Sequence, residues 1–497
     1  MVFRQTRFNS MKRHLLFQAL ISLRRPTALL RPQGLYPCGR YRAHCQAENL
    51  DIFTIDNIIN PWSFPSIERL PGTDNMDFRT CIERCVDIVE SPEKVSPELE
   101  LSRIIAHHGK TPLLFHNVNG TRVCANLYAD RAFVAQCLST TPDDLLPLIS
   151  KAIREPISPR IVNNAPFLKN EISPGDLGKI PIPFFYPGDG GPYLTASVFS
   201  VGAVGTGNIS YHRVMVTGST TGTVRLVERD LHRRYRAAVE AGKELQVAIA
   251  IGVPPEVAIA GAISVAPDVE EYKIANSISS ITGNGDIELY EMENGCAVPA
   301  GSEYVLLGRL TAELGDEGPF VDITGTRDHV RQQPVLKVER IYHRDEPVFH
   351  AILPGGYEHF LLMGMPREAR IYDVVQNEGI DVRNVLLTPG GCSWLHGAVS
   401  IEKRNEDDGM TAGKLALAAH TSMKHVFVVD DDIDIFTYRE LEWAMATRFQ
   451  ADRDMKIITN QRGSSLDPSS SDGTTAKAIF DATMPLSGRG KFQKVEL

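Results

Sequence analysis

Two acids five residues apart, Glu317 and Asp322, flank a glycine–proline turn in the stretch TAELGDEGPFVDITGT (311–326). On a straight strand, side chains at this separation point to opposite faces, because their direction alternates with every residue. Gly318 and Pro319 interrupt that alternation, so both carboxylates can turn toward one pocket. Paired acids in a pocket can exchange a proton with a substrate, whereas the simpler interpretation is a solvated loop.

A second group of acids, Asp430, Asp431, Asp432 and Asp434, directly follows the apolar run HVFVV (425–429). Carboxylate oxygens are hard ligands that can bind a divalent cation. The same acids suit a solvated turn between a strand and a helix, where negative charge stabilises the helix N-terminus. We favour the turn over a metal site.

The common cofactor signatures are absent from the sequence. The stretches GAVGTGN (202–208) and GNGDIE (283–288) do not have the glycine spacing of the dinucleotide fingerprint. GRGK (488–491) lacks the first glycine of a phosphate-binding loop, and neither GxSxG nor HExxH occurs. A nicotinamide dehydrogenase, a P-loop enzyme and an α/β-hydrolase are therefore disfavoured.

Composition narrows the class of protein further. A chain of 497 residues exceeds what one core usually supports, which predicts two or three domains. The net charge of -9 argues against a nucleic-acid binder and favours a small-molecule role. The eight cysteines are scattered without a CxxC pair, which indicates a reducing compartment rather than a disulfide framework or a zinc ribbon.

The first 47 residues form a basic leader without a single Asp or Glu. Within it, MKRHLLFQALISLRR (11–25) can form a helix with one apolar and one basic face. This pattern is typical of a mitochondrial transit segment, and we predict mitochondrial localisation. A disordered basic extension of a cytoplasmic protein, or a misassigned start, is the alternative.

The patterns downstream of the leader predict a mixed α/β (α+β) fold of three domains. Residues 48–155 read as an N-terminal α/β domain, 156–345 as a β-rich central domain built on a barrel, and 346–497 as a C-terminal α/β domain. One helix over 230–242 is predicted to interrupt the central strands. The apolar run 247–266 is broken by prolines, which predicts a strand followed by a proline-opened helix rather than a membrane span.

Six short motifs occur in an order that resembles the UbiD family of carboxy-lyases, relatives of ferulic acid decarboxylase. They are Asn-x-x-x-x-Arg (208–213), Gly-x-x-Pro (252–255), Pro-Asp…Glu-Tyr (267–272), Glu-Gly-Pro-Phe-x-Asp (317–322), Asp-Asp-Asp-Ile-Asp with WAMATRF (430–449), and TTAKAIFDATMP (474–485). The resemblance covers residues 77–486 and implies a flavin-binding central barrel. It also implies a homodimer or larger assembly, made through the C-terminal domain.

The resemblance implies prenylated FMN as the cofactor, with its phosphate held through Mn or Mg and through K+. Asn208 and Glu271 match two metal ligands of the family. The third is usually histidine, but Asp230 stands at that position, and His232 is the alternative ligand. The implied cofactor-binding set is Asn208, Ile209, Ser210, Tyr211, His212, Arg213, Arg229, Asp230, Glu271 and Lys477.

The resemblance also implies a catalytic network of Arg213, Glu317 and Asp322. Decarboxylation leaves electrons on carbon that no side chain can accept, so the cofactor must be the sink while the protein orients and protonates the substrate. We assign Asp322 as proton donor and Glu317 as its partner, one acid neutral and the other ionised beside Arg213.

The reaction implied by the family is non-oxidative and reversible, and it proceeds through covalent attachment of the substrate to the cofactor. The substrate is then an aromatic, heteroaromatic or α,β-unsaturated carboxylic acid, and aspartate at position 322 hints at an aromatic one. A UbiX-type flavin prenyltransferase is the implied cofactor source. The alternatives are a catalytically silent flavin-binding scaffold and a metal-dependent hydrolase using the 430–434 acids.

Overall fold

The computed structural model describes residues 76–267, 269–470 and 473–495. The predicted leader lies outside these residues, so its role in targeting stays a prediction. Within the described residues no helix combines the length and the apolar character that crossing a bilayer requires. The cysteines found there are free thiols, namely Cys81, Cys85, Cys124, Cys137, Cys296 and Cys392.

The N-terminal domain packs four helices on a four-stranded sheet. The helices are α1 (Phe78–Arg84), α2 (Glu100–His108), α3 (Arg131–Cys137) and α4 (Leu145–Arg154). The strands are β1 (Val89–Val95), β2 (Leu113–Val118), β3 (Thr121–Ala125) and β18 (Val348–His350), in the order β1-β2-β3-β18. β18 pairs with β3 in parallel, so this sheet takes a strand from beyond residue 345.

The central domain is rich in strands, and three helices interrupt them. The helices are α5 (Asp230–Glu240), α6 (Pro255–Ala260) and α7 (Glu271–Thr282). The strands are β4 (Arg160–Ile161), β5 (Asn170–Ile172), β6 (Tyr193–Leu194), β7 (Val198–Val201), β8 (Asn208–Tyr211), β9 (Val214–Val216), β10 (Thr221–Val224), β11 (Leu245–Ile251), β12 (Glu288–Glu291), β13 (Ala297–Pro299), β14 (Tyr304–Glu317), β15 (Phe320–Val321), β16 (Arg327–Asp328) and β17 (Arg331–His343). The sequence analysis predicted α5 and the strand-to-helix step from β11 to α6, but it did not count α6 and α7 as interruptions.

The main central sheet has nine strands, ordered β6-β9-β10-β17-β14-β11-β7-β8, with β5 attached to β17. β8 stands at one end of this order and β9 near the other, yet only His212 and Arg213 separate them in the chain. Two residues can span no more than about 10 Å, so the sheet must curl until its ends approach each other. This curvature is what the predicted barrel requires. Two small sheets, β13-β12-β4 and β15-β16, flank it.

The C-terminal domain covers a five-stranded sheet with three helices. The helices are α8 (Tyr357–Asn377), α9 (Asp408–Ala419) and α10 (Tyr438–Arg448). The strands are β19 (Asp381–Leu387), β20 (His396–Glu402), β21 (His425–Asp430), β22 (Met455–Arg462) and β23 (Thr474–Asp481), in the order β19-β20-β21-β23-β22. One-turn 3₁₀ helices lie at Pro166–Lys169, Leu177–Lys179, Pro389–Gly391 and Arg489–Phe492.

Helix α8 fastens the C-terminal domain to the N-terminal sheet. Glu358, in its first turn, is fully buried and accepts hydrogen bonds from the backbone N–H groups of Asn126 and Tyr128, both at 2.9 Å. His350 on β18 contacts the same carboxylate through Nε2 at 2.9 Å. A buried carboxylate with several donors is costly to disrupt, so this contact fixes the start of α8.

The acidic turn after β21 is occupied by an arginine. Arg448 has no exposed side-chain surface and contacts Asp430 at 3.1 Å and Asp432 at 2.6 Å. Its guanidinium supplies the positive charge that a metal would bring. Among the described residues there is also no group of three or more His, Cys, Asp or Glu side chains arranged to hold a metal. The hydrolase alternative therefore loses its motivating site.

Candidate active site

Arg213 lies between β8 and β9 and brings the two predicted acids together. Its Nε and Nη2 donate to Glu317 at 2.8 Å and 3.0 Å, which is a two-pronged contact along one side of the guanidinium. Its Nη1 donates to Asp322 Oδ2 at 2.6 Å. The structure thus places all three predicted catalytic residues in one cluster.

The bend between the two acids has a local cause. β14 ends at Glu317, and Gly318 has a φ of 102°, a value that L side chains rarely adopt. A Cβ on Gly318 would also lie 3.0 Å from the carbonyl oxygen of His329. Pro319 then leads into β15, which turns the chain so that Asp322 faces the same guanidinium as Glu317.

The cluster is shielded from water. Glu317 has no exposed side-chain surface, while Arg213 and Asp322 keep 10% and 15% of theirs, so Asp322 is the acid that a substrate can reach. The ring of Phe320 covers the guanidinium, with Arg213 Cζ 4.2 Å from the ring centroid. The hydroxyl of Tyr193 donates to Glu317 at 3.3 Å. Burial would lower the pKa of Arg213, but the contacts with Glu317 and Asp322 outweigh it and raise that pKa.

A histidine from the C-terminal domain approaches the same cluster. His359 on α8 accepts a hydrogen bond from Gly355 N–H through Nδ1 at 3.1 Å. Burial lowers the pKa of His359, while the charges of Asp322 and Arg213 act on it in opposite directions. Burial thus disfavours the charged form of His359, and its Nδ1 acts as an acceptor. The sequence analysis missed this residue because it looks like any polar position on a helix.

The predicted metal ligands also lie close together. The Nδ2 of Asn208 donates to Glu271 at 2.9 Å, and the backbone N–H of Ile209 donates to the same carboxylate at 3.1 Å. Burial raises the pKa of Glu271 to about 7, and the nearby charge of Asp230 contributes to the rise. Asn208 and Glu271 are therefore in direct contact, and Asp230 is near enough for its charge to act on Glu271.

This donor set fits a hard cation. The Oδ1 of Asn208 is buried and has no hydrogen-bond partner in the part of the chain that the structure describes. Buried polar atoms are normally satisfied, so an unpartnered oxygen beside two acids indicates a place for a ligand. Oxygen donors are those that magnesium and manganese bind.

Asp230 suits this site better than His232. The charge of Asp230 acts on Glu271, whereas its own carboxylate is held by Arg233 on the next turn of α5. Residues two apart on a helix are turned about 200° from each other, so His232 faces away from the direction of Asp230. The geometry therefore favours the aspartate at the position where the family usually has histidine.

The remaining predicted cofactor residues line β8 and the turn after it. Ser210 contacts His212 Nε2 at 2.9 Å, and His212 Nδ1 contacts the carbonyl oxygen of Arg225 at 3.0 Å. Burial lowers the pKa of His212 to about 4, so its ring is neutral. The hydroxyl of Tyr211 is buried without a partner among the described residues.

Three cations without carboxylate partners lie close enough together for their charges to act on one histidine, His420. Arg229 and Arg367 both donate to the hydroxyl of Ser264 at 2.8 Å, and Lys477 donates to the carbonyl oxygen of Thr421 at 2.6 Å. Within the described chain no carboxylate lies at ion-pair distance from any of these three side chains, so they can accept an anion.

The charges of this cluster act on one histidine. Burial, together with the positive charges of Arg367, Lys477 and Arg229, lowers the pKa of His420 to about 3. Burial and the charge of Arg229 likewise lower the pKa of Arg367 to about 10. Arg229 and Lys477 were predicted to bind cofactor, whereas Arg367 and His420 were missed, because neither stands in a recognisable motif.

Comparison with known families accounts for this arrangement. Three models of 3-octaprenyl-4-hydroxybenzoate carboxy-lyase, UbiD, match the chain: the N-terminal domain at residues 82–153, the Rift-related domain at 160–357 and the C-terminal domain at 360–482. This chain belongs to the UbiD family of decarboxylases. The resemblance, the enzyme class and the mixed α/β fold predicted from the sequence are confirmed.

Relatives with a named activity are similar to this chain over most of their length. The anhydromevalonate phosphate decarboxylase of Methanosarcina mazei is 43% identical over 425 residues, which cover 84% of this chain and 99% of that protein. The enzyme of the same name from Methanocaldococcus jannaschii is 41% identical over 412 residues, or 82% and 96%. Among solved structures, the UbiD-class enzyme HmfF from Pelotomaculum thermopropionicum in complex with FMN has a TM-score of 0.81 at 34% identity, covering 85% of this chain and 97% of its own.

Proposed function

We propose that this chain is a prenylated-FMN-dependent decarboxylase that acts without net oxidation on an α,β-unsaturated carboxylic acid bearing a phosphate. The observation that carries the proposal is the contact of Arg213 with Glu317 and Asp322 in a UbiD chain. A guanidinium that fixes one fully buried acid and one reachable acid is suited to delivering a proton at a defined point.

The substrate class rests on the named activity of the similar archaeal proteins. Mevalonate is a 3-hydroxy acid, and its anhydro form has lost water, which leaves a carbon–carbon double bond near the carboxylate. This substrate falls within the unsaturated acids predicted from the sequence. The hint toward an aromatic acid, drawn from aspartate at position 322, is not confirmed.

The cofactor proposal rests on two features of the chain and on one similar structure. The cations Arg229, Arg367 and Lys477 are suited to the cofactor phosphate, either directly or through ions, and Asn208 on β8 has a buried Oδ1 without a partner in the described part of the chain. An evolved dimeric HmfF, with a TM-score of 0.78, was solved in complex with prFMN. When bound, prenylated FMN supplies the electron sink that decarboxylation requires.

We propose that Asn208, Asp230 and Glu271 hold Mn or Mg, with K+ nearby. The unpartnered Oδ1 of Asn208 supplies a neutral oxygen donor, and the two carboxylates supply charge. A bound dication would keep Glu271 ionised despite its burial. Charge neutralisation by the metal would let the acids and an anionic phosphate share one region.

Each residue of the Arg213 network then has its own role in the reaction. Arg213 orients the acid network, and Glu317 is its fully buried partner. Asp322, the more exposed acid, delivers a proton to the carbon from which carbon dioxide has left. The low exposure of the whole cluster excludes water that would otherwise compete as a proton source.

The test is carbon dioxide release by protein produced with a UbiX-type flavin prenyltransferase. The panel contains anhydromevalonate phosphate, its unphosphorylated counterpart, an aryl acrylic acid and a heteroaromatic acid. We expect the phosphorylated unsaturated acid to have the highest kcat/KM, and protein loaded with plain FMN to the same occupancy to be inactive. Equal rates with plain FMN would contradict the cofactor proposal.

The alternative of a silent flavin-binding scaffold is motivated by Asp230, where the family usually has histidine. Flavin binding without carbon dioxide release from any acid on the panel would favour it. We further propose a homo-oligomer and mitochondrial localisation. Gel filtration with light scattering and a reporter fusion, respectively, would test them.

A further inference from the structure

Arg213 contacts a third carboxylate besides the two of the catalytic network. Its Nη2 donates to Asp328 Oδ2 at 3.0 Å, and Arg331 Nη1 donates to the same oxygen at 2.5 Å. Asp328 is 92% buried at its side chain, since only 8% is exposed, and Arg331 keeps 18%. An acid with this burial and two guanidinium partners is part of the structure of the site rather than a surface residue.

The pairing of strands on either side of Gly318 also positions Asp328 and Arg331. β15 and β16 place Asp328 directly across from Phe320, the residue whose ring covers Arg213. The ladder between β14 and β17 places Arg331 across from Glu317. Asp328 therefore reaches Arg213 from β16, and Arg331 reaches Asp328 from β17, the partner strand of the one that ends at Glu317.

The guanidinium of Arg213 is nearly saturated by these contacts. Arginine has five N–H donors, and Glu317 takes two of them, Asp322 one and Asp328 one. With Phe320 against its face, the group cannot turn without breaking several charge-assisted hydrogen bonds. Removal of Asp328 alone would leave one Nη2 donor of Arg213 without its acceptor and Arg331 without its carboxylate partner.

We propose that Asp328 and Arg331 form a positioning pair that sets how firmly Asp322 keeps its proton. The proposal rests on the proposed function, because it takes Asp322 as the proton donor. Asp328 is a fixed negative charge that accepts from Nη2 of Arg213, while Asp322 accepts from Nη1, and it opposes a second negative charge on Asp322. Arg331 is a fixed positive charge, and it works in the other direction.

Asp328 itself does not titrate in the working range. Burial would raise the pKa of Asp328, but hydrogen bonds from Arg331 and Arg213 outweigh burial and lower that pKa to about 2. The pair is therefore charged at every pH at which the enzyme would be assayed. A change of either member alters the local charge by one unit throughout the profile.

Other charged and titratable groups face this cluster from neighbouring elements. Those that bear on Arg213, Asp322 or the positioning pair are Glu317 on β14, Tyr193 on β6, Asp189 in the preceding loop, Arg225 after β10, His359 on α8 and His329, whose Nδ1 lies 3.5 Å from Asp328 Oδ1. Arg327 on β16 acts on Asp189. None of them is changed in the variants below, so a difference between the variants reports the positioning pair.

The test is the pH profile of kcat/KM for Asp328→Asn and Arg331→Gln in the cofactor-loaded enzyme. A donor that must be protonated gives a limb on which activity falls as pH rises. Removing the negative charge of Asp328 favours release of the proton and moves this limb to lower pH. Removing the positive charge of Arg331 moves it to higher pH. Each shift should be about one pH unit, as expected for a charge several ångströms away in a partly buried site.

The exposed ion pair of Glu313 on β14 and Lys337 on β17 provides matched controls. Its atoms lie 3.1 Å apart, and Glu313 keeps 66% of its side chain exposed. Glu313→Gln and Lys337→Gln change the net charge by the same amounts but should leave the limb in place. Asp328→Glu and Arg331→Lys should return the limb toward that of the unchanged enzyme.

A second readout does not depend on turnover. The infrared absorption of the protonated carboxyl group of Asp322, assigned by its loss in Asp322→Asn, can be followed against pH. This band should disappear at lower pH in Asp328→Asn and at higher pH in Arg331→Gln. Shifts of the band without any decarboxylation would contradict the proposed function and support the positioning pair. If both variants fold but neither the pH-profile limb nor the infrared band moves, the inference is wrong. It is also wrong if Asp328→Asn and Arg331→Gln shift them in the same direction.

Discussion

The side-chain amide of Asn208 donates to Glu271 at 2.9 Å, while the other end of that amide, Oδ1, is buried without a partner in the described part of the chain. One residue therefore orients a carboxylate and offers an oxygen to something else. A cation bound at this oxygen, as proposed above, would need a further ligand, and Asp230 and His232 are the two candidates.

Replacement of Asp230 by alanine should cost the protein more metal and flavin than replacement of His232 by alanine. Asp230 is the acid whose charge acts on Glu271, and His232 lies on another side of α5. Metal and flavin content after gel filtration of both variants decides the ranking. If His232→Ala loses more of both, histidine completes the site and the sequence register at this point is wrong.

Asp322→Asn should retain the cofactor but lose turnover by about 10²–10⁴-fold, because general acid catalysis typically contributes that much. The amide can still accept from Arg213, so the network should keep its shape. The measurements are flavin absorbance and single-turnover carbon dioxide release. Near-normal release, with normal uptake of solvent deuterium into the product, would show that another group delivers the proton.

Arg225→Gln should raise KM for the phosphorylated acid about tenfold or more. KM for the unphosphorylated acid should not change. Arg225 is half-buried, donates only to the carbonyl oxygen of Leu226, and has no ion pair among the described residues. Burial and the charges of Arg331 and Arg213 lower its pKa despite the charges of Asp328 and Glu317, so it lies beside the acid network without a direct carboxylate partner in the described chain. Lys337→Gln is the matched control, and an equal loss for both acids would rule out a phosphate contact.

Glu256→Gln should flatten the dependence of stability on pH. Glu256 is fully buried, Asn284 donates to its Oε1 at 3.0 Å, and its Oε2 has no partner in the described chain. Burial raises the pKa of Glu256 to about 7 from 4.5. Its contribution is thus complete below about pH 4.5 and is lost as pH rises through 7, by roughly 3 kcal/mol in total.

Thermal unfolding at about pH 5 and about pH 8 checks this prediction. The variant should gain in Tm relative to the unchanged protein at the higher pH and differ little at the lower one. Glu313→Gln, an exposed acid, serves as the control and should change neither value. A variant that loses stability equally at both values would mean that the glutamine simply packs badly.

Residues 1–47 fused to a fluorescent reporter should enter mitochondria, and a chain that begins at Glu48 should keep its activity. The reason is the acid-free, arginine-rich composition of the leader. Imaging of the reporter and an assay of the shortened chain are independent measurements. A reporter that stays in the cytoplasm would refute the targeting prediction and leave the enzymology unchanged.

The parts of this site that sequence could predict are those whose spacing is local. Glu317 and Asp322 are separated by one turn, and the dipeptide Gly318-Pro319 predicts that turn directly. Asn208 and Arg213 belong to a single short segment, β8 and the residues after it. For such residues, the alternation of a strand and one glycine with positive φ are enough to predict a common direction.

The parts that were missed depend on pairing between distant segments. Asp328 reaches Arg213 only because β16 pairs with β15 in the register that places it opposite Phe320. The glycine at 325 between the two strands was the available signal for that hairpin. Arg367 carries no comparable signal, since an arginine within a 21-residue helix normally faces water, and only the packing of α8 shows otherwise.

The return of the chain to the N-terminal sheet at β18 has a consequence for how the protein is made. β3 leaves the ribosome about 220 residues before the strand that covers its outer edge, although domains generally fold as they emerge. Until Val348–His350 arrives, that edge exposes unpaired backbone groups, which are a template for aggregation. Glu358 follows a few residues later and accepts hydrogen bonds from Asn126 and Tyr128, just after β3. Translation that stalls within the central domain should therefore yield a nascent chain that needs a chaperone on its first domain.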